Sequence, residues 1–307
     1  MLKYALKRLV TAVPTLFVIV TLAFFLIRVA PGGPFDLDRP LAPSVMESLN
    51  RIYRLDAPLW EQYLSYLGNL AHGDFGPSFV YRDFTVGELF ASGLPVSIQL
   101  GASALLLALV LGICLGTWAA LKHNRAGDVA AVTVATFGIT VPPFVVAPLL
   151  SLIFGVWLGW LPAGGWGEGA LANKILPIVT LALPQIAVVT RLTRAAMIEA
   201  LSSHPVRTAR AYGLGAWTMV VVHALRSALL PVVSYAGPAA AALLTGSVVV
   251  ETIFGVPGIG RYFVLGALSR DYTLVMGTVV VVASFVILFN LAVDLIYGLI
   301  DPRVRYG

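Results

Sequence analysis

Residues 196–231 read AMIEALSSHPVRTARAYGLGAWTMVVVHALRSALLP, and this stretch decides how the chain is organised. It separates two strongly apolar runs, 174–189 and 229–250, and is too long for a tight turn. Its basic side chains, Arg207, Arg210 and Arg226 with His204 and His223, place it on the cytoplasmic side of a membrane, where loops are rich in Lys and Arg. Ser202-Ser203-His204 before Pro205 predicts capping residues and a proline at the first helical position. Gly213 and Gly215 predict a stop about two turns later. Val206, Ala209, Arg210 and Gly213 then share one face at i, i+3, i+4, i+7 spacing. The expectation is a short surface helix between two spans, a knob that another protein grips.

The same stretch resembles the EAA loop of the membrane subunits of ABC importers, whose pattern is Glu-Ala-Ala, three residues, Gly, nine residues, Ile-x-Leu-Pro. Counting back from Gly213, Arg207 takes the Glu place, and Thr208 and Ala209 the two Ala places. Counting forward, His223, Ala224, Leu225 and Arg226 stand at Ile-x-Leu-Pro, so that Ala209, Gly213 and Leu225 match outright. The version RTARAYGLG…HALRSALLP closely resembles the form in peptide-importer permeases of the dipeptide/oligopeptide type. The competing reading of this stretch alone is an ordinary interfacial loop helix.

Composition bounds the rest. Of 307 residues, 59% are hydrophobic and 11% charged, where a soluble domain has roughly a quarter charged. The chain must bury its apolar surface in lipid. The net charge of +5 comes from Lys and Arg scattered at span ends, so membrane lipid, and not nucleic acid, is the expected environment. The single cysteine, Cys114, lies inside an apolar run and is read as a buried, inert thiol. No disulfide within the chain is expected, and the four His residues show no ligand spacing for a metal.

Working outward from the loop, residues 9–27 form an apolar run long enough to cross the ~30 Å hydrocarbon core. Their basic lead, MLKYALKR, makes this a retained signal-anchor helix, its N-terminus inside. Residues 34–94 are the long polar section and hold eight of the fifteen acidic residues. Within it, 45–55 and 59–70 show helical spacing, and 72–90 read as a turn, an extended piece and a small helix. This section is expected to be an extracytoplasmic insert between the first and second spans, either touching a delivery protein or packed as a lid. The further spans are 96–121, 129–154 interrupted by Pro142-Pro143 and Pro148, 174–189, 229–250 and 272–300. Gly112 and Gly116 form a small-xxx-small pair for close helix approach. Residues 156–173 read as an outer loop whose Trp157, Trp160 and Trp166 suit the interfacial belt, and 256–260 begin a short outer loop.

Counting cations orients the spans. Twelve of the twenty Lys and Arg residues fall on the side of the 196–231 loop, both chain termini included. The expectation is an all-α membrane protein of six spans with both termini cytoplasmic. It divides into residues 1–93, the first helix plus insert, and 94–307, a five-helix transmembrane domain. Glu251 falls at the outer end of the fifth span and is read as a hydrated interfacial carboxylate. Asn290 and Asp294 share a face of the sixth.

No His-Glu-x-x-His, Gly-x-Ser-x-Gly or nucleotide-binding Gly-x-x-x-x-Gly-Lys-Ser/Thr occurs. The chain is therefore expected to be no enzyme and to carry no cofactor. The run from VVVETIFGVPGIGRYFVLGALSRDYTLVMG through to DPRVR resembles the closing third of a B-type dipeptide/oligopeptide permease. That resemblance implies the type I ABC importer fold, with a second homologous permease, two ABC ATPase subunits and an extracytoplasmic substrate-binding protein as partners. It implies further that the ATPases grip Arg207, Thr208, Ala209, Arg210 and Gly213, and that the cargo is short peptides, haem or nickel complexes. Substrate-binding residues stay unassigned. The alternative from another class is a secondary carrier driven by an ion gradient.

Overall fold

Long apolar runs in lipid must satisfy their backbone internally, which favours helix over any open structure. A computed structural model describes residues 2–29, 33, 47, 50, 55–81 and 83–300. It begins with α1 (Leu2–Val29) and α2 (Leu59–Ala71). Next come α3 (Val86–Leu121), α4 (Ala126–Thr140) and α5 (Pro143–Leu150), the last continuing as a π-helical segment Ser151–Trp157. α6 (Leu171–Ser202) leads into the short α7 (His204–Ala211). A helical turn at Ala216–Thr218 and a π-helical segment Met219–Ala224 enter α8 (Leu225–Phe254). α9 (Ile259–Leu268) and α10 (Tyr272–Ile300) close the described chain.

Among the described residues five helices are long and apolar enough to cross a membrane, and two bent pairs raise the number to as many as seven, a range that contains the expected six. One pair, α4 with the segment from Pro143 to Trp157, bends by 100°. The break falls at Val141-Pro142, where the prolines remove amide donors. The other joins the end of α8 to α9 at 87°. The helix expected over 45–55 falls almost wholly outside the described residues, as do residues 301–307 and the side chain of Asp294.

Several expectations change, the first three in the backbone and at the single cysteine. The piece read as a small helix and the span at 96–121 are one helix, α3, which runs through Pro95 without a break. Its start is a capping box: Glu88 N–H donates to Thr85 Oγ1 at 3.2 Å, and Thr85 N–H donates to Glu88 Oε2 at 2.7 Å. The Thr-x-x-Glu spacing is a start signal in its own right, and the proline at 95, which suggests a later boundary, is carried inside the helix. Second, the outer loop beginning at 256 turns almost at once into α9. Third, Cys114 is exposed on the chain's surface and not buried within it, because it sits on the face of α3 opposite its closest neighbour. Trp157 and Trp160 are exposed as a belt requires, whereas Trp166 packs on the core with the Lys174 ammonium 4.9 Å from its ring centroid.

That closest neighbour is α6. A Cβ on Gly112 would stand 2.6 Å from Val189 Cβ, and one on Gly116 2.6 Å from the Thr190 carbonyl oxygen, so the small-xxx-small pair is what lets the two helices meet. The main core joins Leu100, Ala104 and Ala108 of α3 to Leu176 and Leu181 of α6 and to Val250 and Phe254 of α8. At 36 residues, α3 is about 54 Å long, and its two ends belong to different clusters. Ala120 packs with Met197, Val206 and Ala224 at one end. Val86, Leu89 and Phe90 pack with Ile259 and Leu274 at the other.

Candidate functional site

The 196–231 loop folds as the expected knob. α6 stops at Ser202, Ser203 takes an extended conformation, and α7 starts with His204 and Pro205. The Ser203 hydroxyl does not cap α7; it donates back to the Ala200 carbonyl at 2.6 Å. The C-terminus follows the glycine rule. Gly213 has φ +76°, its N–H donates to Arg210 O at 3.0 Å, and Leu214 N–H donates to Ala209 O at 3.2 Å. These two bonds make a Schellman turn.

The four residues expected on one face divide. Val206 and Ala209 are buried, Val206 against Met197, Ala200, Ala224 and Ala228, whereas Arg210 and Gly213 are exposed. Ala209 therefore anchors the knob and does not present itself to a partner. Arg207 and Thr208 are exposed beside Arg210. Tyr212 and Trp217, which the sequence pattern did not single out, are 83% and 79% exposed. Exposed Tyr, Trp and Arg together have the composition of a protein-contact surface. Of the forward part of the motif, Ala224 is fully buried beneath α7, while Arg226 is exposed.

Behind the knob, Asp128 in the first turn of α4 accepts from Arg194 of α6 in a two-pronged pair, Nε to Oδ1 and Nη2 to Oδ2, the latter at 2.7 Å. It also accepts the Asn124 N–H at 2.9 Å. The pair clamps the α3–α4 turn to α6 nearly three turns before α7 begins. Nothing local in the sequence marks it, since the partners are 66 residues apart.

At the far end of α3, Glu251 is fully buried, which overturns the hydrated interfacial reading. Its carboxylate accepts from Ser97 Oγ at 2.6 Å and from Gly260 N–H at 2.8 Å. Ser97 Oγ in turn accepts Ile259 N–H at 3.0 Å. The first amides of α9 are thus satisfied by α8 and α3, as a buried carboxylate demands. The glycines of the Gly-Val-Pro-Gly-Ile-Gly run suit this packing: a Cβ on Gly258 would stand 2.3 Å from Glu251 Oε2, and one on Gly260 2.3 Å from Val248 Cα. Nearby, Asp271 is buried and accepts Ser78 Oγ at 2.6 Å and the Leu274 N–H at 3.0 Å, tying the segment before α3 to the start of α10. Among the described residues no group of three or more His, Cys, Asp or Glu is placed to hold a metal ion.

A helical knob at one end of a bundle of long apolar helices, two of its elements sharply bent, and a buried polar lock at the other end have the build of a multi-pass membrane protein. A solved structure, a crystal structure of an amino acid ABC transporter with histidines, matches at a TM-score of 0.51 and 18% identity, covering 70% of this chain and 94% of that one. That match shows the fold. The family model for the binding-protein-dependent transport system inner membrane component matches residues 112–306, and the model for the N-terminal part of such components matches residues 1–98. The chain belongs to this family, and it is a multi-pass inner-membrane protein. It is 52% identical over 306 residues to the oligopeptide transport system permease protein OppB of Escherichia coli K12, covering all of both chains. It is 44% identical to the dipeptide transport system permease protein DppB of Lactococcus lactis subsp. cremoris, covering 99% of this chain and all of that one.

Proposed function

We propose that this chain is one permease subunit of an ATP-driven importer, forming half of the pathway by which short peptides cross the inner membrane. The observation that carries the reading is end-to-end identity of 52% with an oligopeptide permease subunit. The partners are a second, homologous permease, two ATPase subunits and an extracytoplasmic substrate-binding protein. Both termini and the 196–231 loop face the cytoplasm. Arg207, Thr208 and Arg210 meet the ATPase, Ala209 roots the knob, and Gly213 sets the turn that leads back to α8. Because α7 comes directly after α6 and is packed on the residues that enter α8, a pull on it tilts both helices as one body. The chain does no chemistry on its cargo.

The test is reconstitution of the five-chain assembly in vesicles with a labelled tripeptide. Uptake requires ATP and both ATPases. Uptake that survives their removal and collapses with an uncoupler identifies an ion-driven carrier instead.

A further inference from the structure

The last turn of α1 meets α2 in a cavity that gripping and tilting α7 does not involve. Arg28 is its centre. The helix around it faces outward, with Leu22, Leu26 and Val29 58%, 68% and 77% exposed, so the residue stands where an apolar span reaches its end. The guanidinium lies 3.5 Å from the Phe24 ring centroid, and its Nε donates to Gln62 Oε1 at 3.1 Å. Among the described residues its Nη1 is buried without a partner, and so is the Tyr66 hydroxyl. Among the described residues no carboxylate pairs with Arg28. A half-buried cation with a buried, unspent donor favours an anion beside it. Burial pushes the Tyr66 phenol up to about 12, against the opposing influence of the Arg28 charge, so it remains an O–H donor at neutral pH.

The two groups line a cavity of about 370 Å³, together with Glu61 and Asp74. Its size falls within the ~300–1,000 Å³ of small-ligand sites. Beside it α2 turns Leu59, Trp60 and Leu64 outward, 47%, 63% and 58% exposed, the signature of a helix lying in a membrane interface. An oxyanion, an ammonium and an acyl chain would therefore each find a complementary surface, at the depth where headgroups lie. We propose that this cavity binds the headgroup of a zwitterionic phospholipid, its phosphate held by Arg28 and Tyr66 and its ammonium by Glu61 and Asp74. The two carboxylates disfavour a headgroup that carries negative charge alone.

The experiment is native mass spectrometry of the delipidated assembly with phosphatidylethanolamine, phosphatidylglycerol, inorganic phosphate or trialanine added. Wild type retains phosphatidylethanolamine in preference to phosphatidylglycerol. Arg28→Gln weakens that retention by about tenfold or more, and Tyr66→Phe, which removes one oxygen and leaves the packing intact, weakens it by several-fold. The Glu61→Gln/Asp74→Asn pair abolishes the preference between the two lipids. Equal retention by wild type and both Arg28 and Tyr66 variants overturns the proposal. So does equal retention of both lipids by wild type. Displacement of the lipid by inorganic phosphate or trialanine overturns it too, by assigning the site to a free oxyanion.

Discussion

Two helices in this molecule end in the same glycine turn, and what lies beyond each turn differs completely. After α7, Gly213 N–H bonds back to Arg210 O and Leu214 N–H to Ala209 O; after α8, Gly255 N–H bonds to Thr252 O and Val256 N–H to Glu251 O. Both glycines are left-handed, at φ +76° and +66°. Past Gly213 the chain enters open space, with nothing within 4 Å of a Cβ placed there, whereas Gly258 and Gly260 just beyond Gly255 have no room for one. One turn thus presents a surface and the other builds an interior. The α7 knob is rooted by apolar contact and leaves its charges free, which suits a part that must be gripped and moved. The α9 segment is fixed by a buried carboxylate shared among three helices, which suits a part that must keep its place.

The contrast predicts the largest losses at the α9 end. Gly260→Val drives a side chain into the Val248 backbone and the Glu251 carboxylate, destabilising the fold by about 3 kcal/mol or more. Glu251→Ala leaves the Gly260 amide and Ser97 without their acceptor and costs about 1–3 kcal/mol. Thermal unfolding of the detergent-solubilised chain measures both. A Glu251→Ala midpoint equal to wild type would mean that the buried network is not what holds α9.

At the α7 end, steric room makes the cost purely conformational. Gly213→Ala costs about 1–2 kcal/mol because its φ is positive, and Gly213→Asn, which tolerates that region, costs visibly less. The readout is ATPase activity stimulated by binding protein together with peptide uptake. Equal damage from Ala and Asn would show that the position needs space and not a left-handed backbone.

The surface charges come next. Arg207→Glu/Arg210→Glu leaves thermal stability within about 0.5 kcal/mol, as exposed substitutions do, while copurified ATPase falls by about tenfold. Full recovery of ATPase with normal uptake would reduce α7 to an interfacial helix. The sidedness behind this prediction is read by impermeant thiol labelling of intact cells after Cys114→Ala, since Cys114 is exposed. His72→Cys, on an exposed turn after α2, is labelled and Ser202→Cys is not; the reverse pattern inverts the orientation.

Local signals carry far in this chain. Apolar runs place the spans, Pro142-Pro143 places the break before α5, and Gly213 places the end of α7, because each is a one-residue or one-segment consequence of backbone chemistry. The features that stay hidden depend on distant partners. Glu251 looks like an edge carboxylate until Ser97, 154 residues away, and the folded-back amides of α9 close around it. Asp128 and Arg194 look like loop and span-end charges until α4 and α6 are packed. The exposed thiol of Cys114 shows the same limit: an apolar run says that a residue avoids water, not whether it faces protein or lipid. Thr85 is the opposite case, since its capping box with Glu88 is a four-residue signal, legible in the sequence but overshadowed by Pro95.

Ser203 gives the finest test of local against tertiary reading. Its position before His204 and Pro205 predicts a cap, and losing a capping hydroxyl costs roughly 1 kcal/mol. In the folded chain the hydroxyl donates backward to the Ala200 carbonyl at 2.6 Å, and no side-chain bond reaches the amides of α7. Ala200 O also accepts the Ser203 N–H at 3.1 Å, so that carbonyl keeps a partner when the hydroxyl is removed. Ser203→Ala should therefore shift stability by less than about 0.5 kcal/mol and leave uptake unchanged, because α7 is held by Val206 in its apolar socket and not by its cap. Val206→Ala is the matched control, since it removes two buried methyl groups and should cost about 1–2 kcal/mol more than Ser203→Ala. If the serine variant instead loses a full kcal/mol while the valine variant does not, the knob is fixed at its N-terminus, and the account of an apolar root with a free charged surface has to be given up.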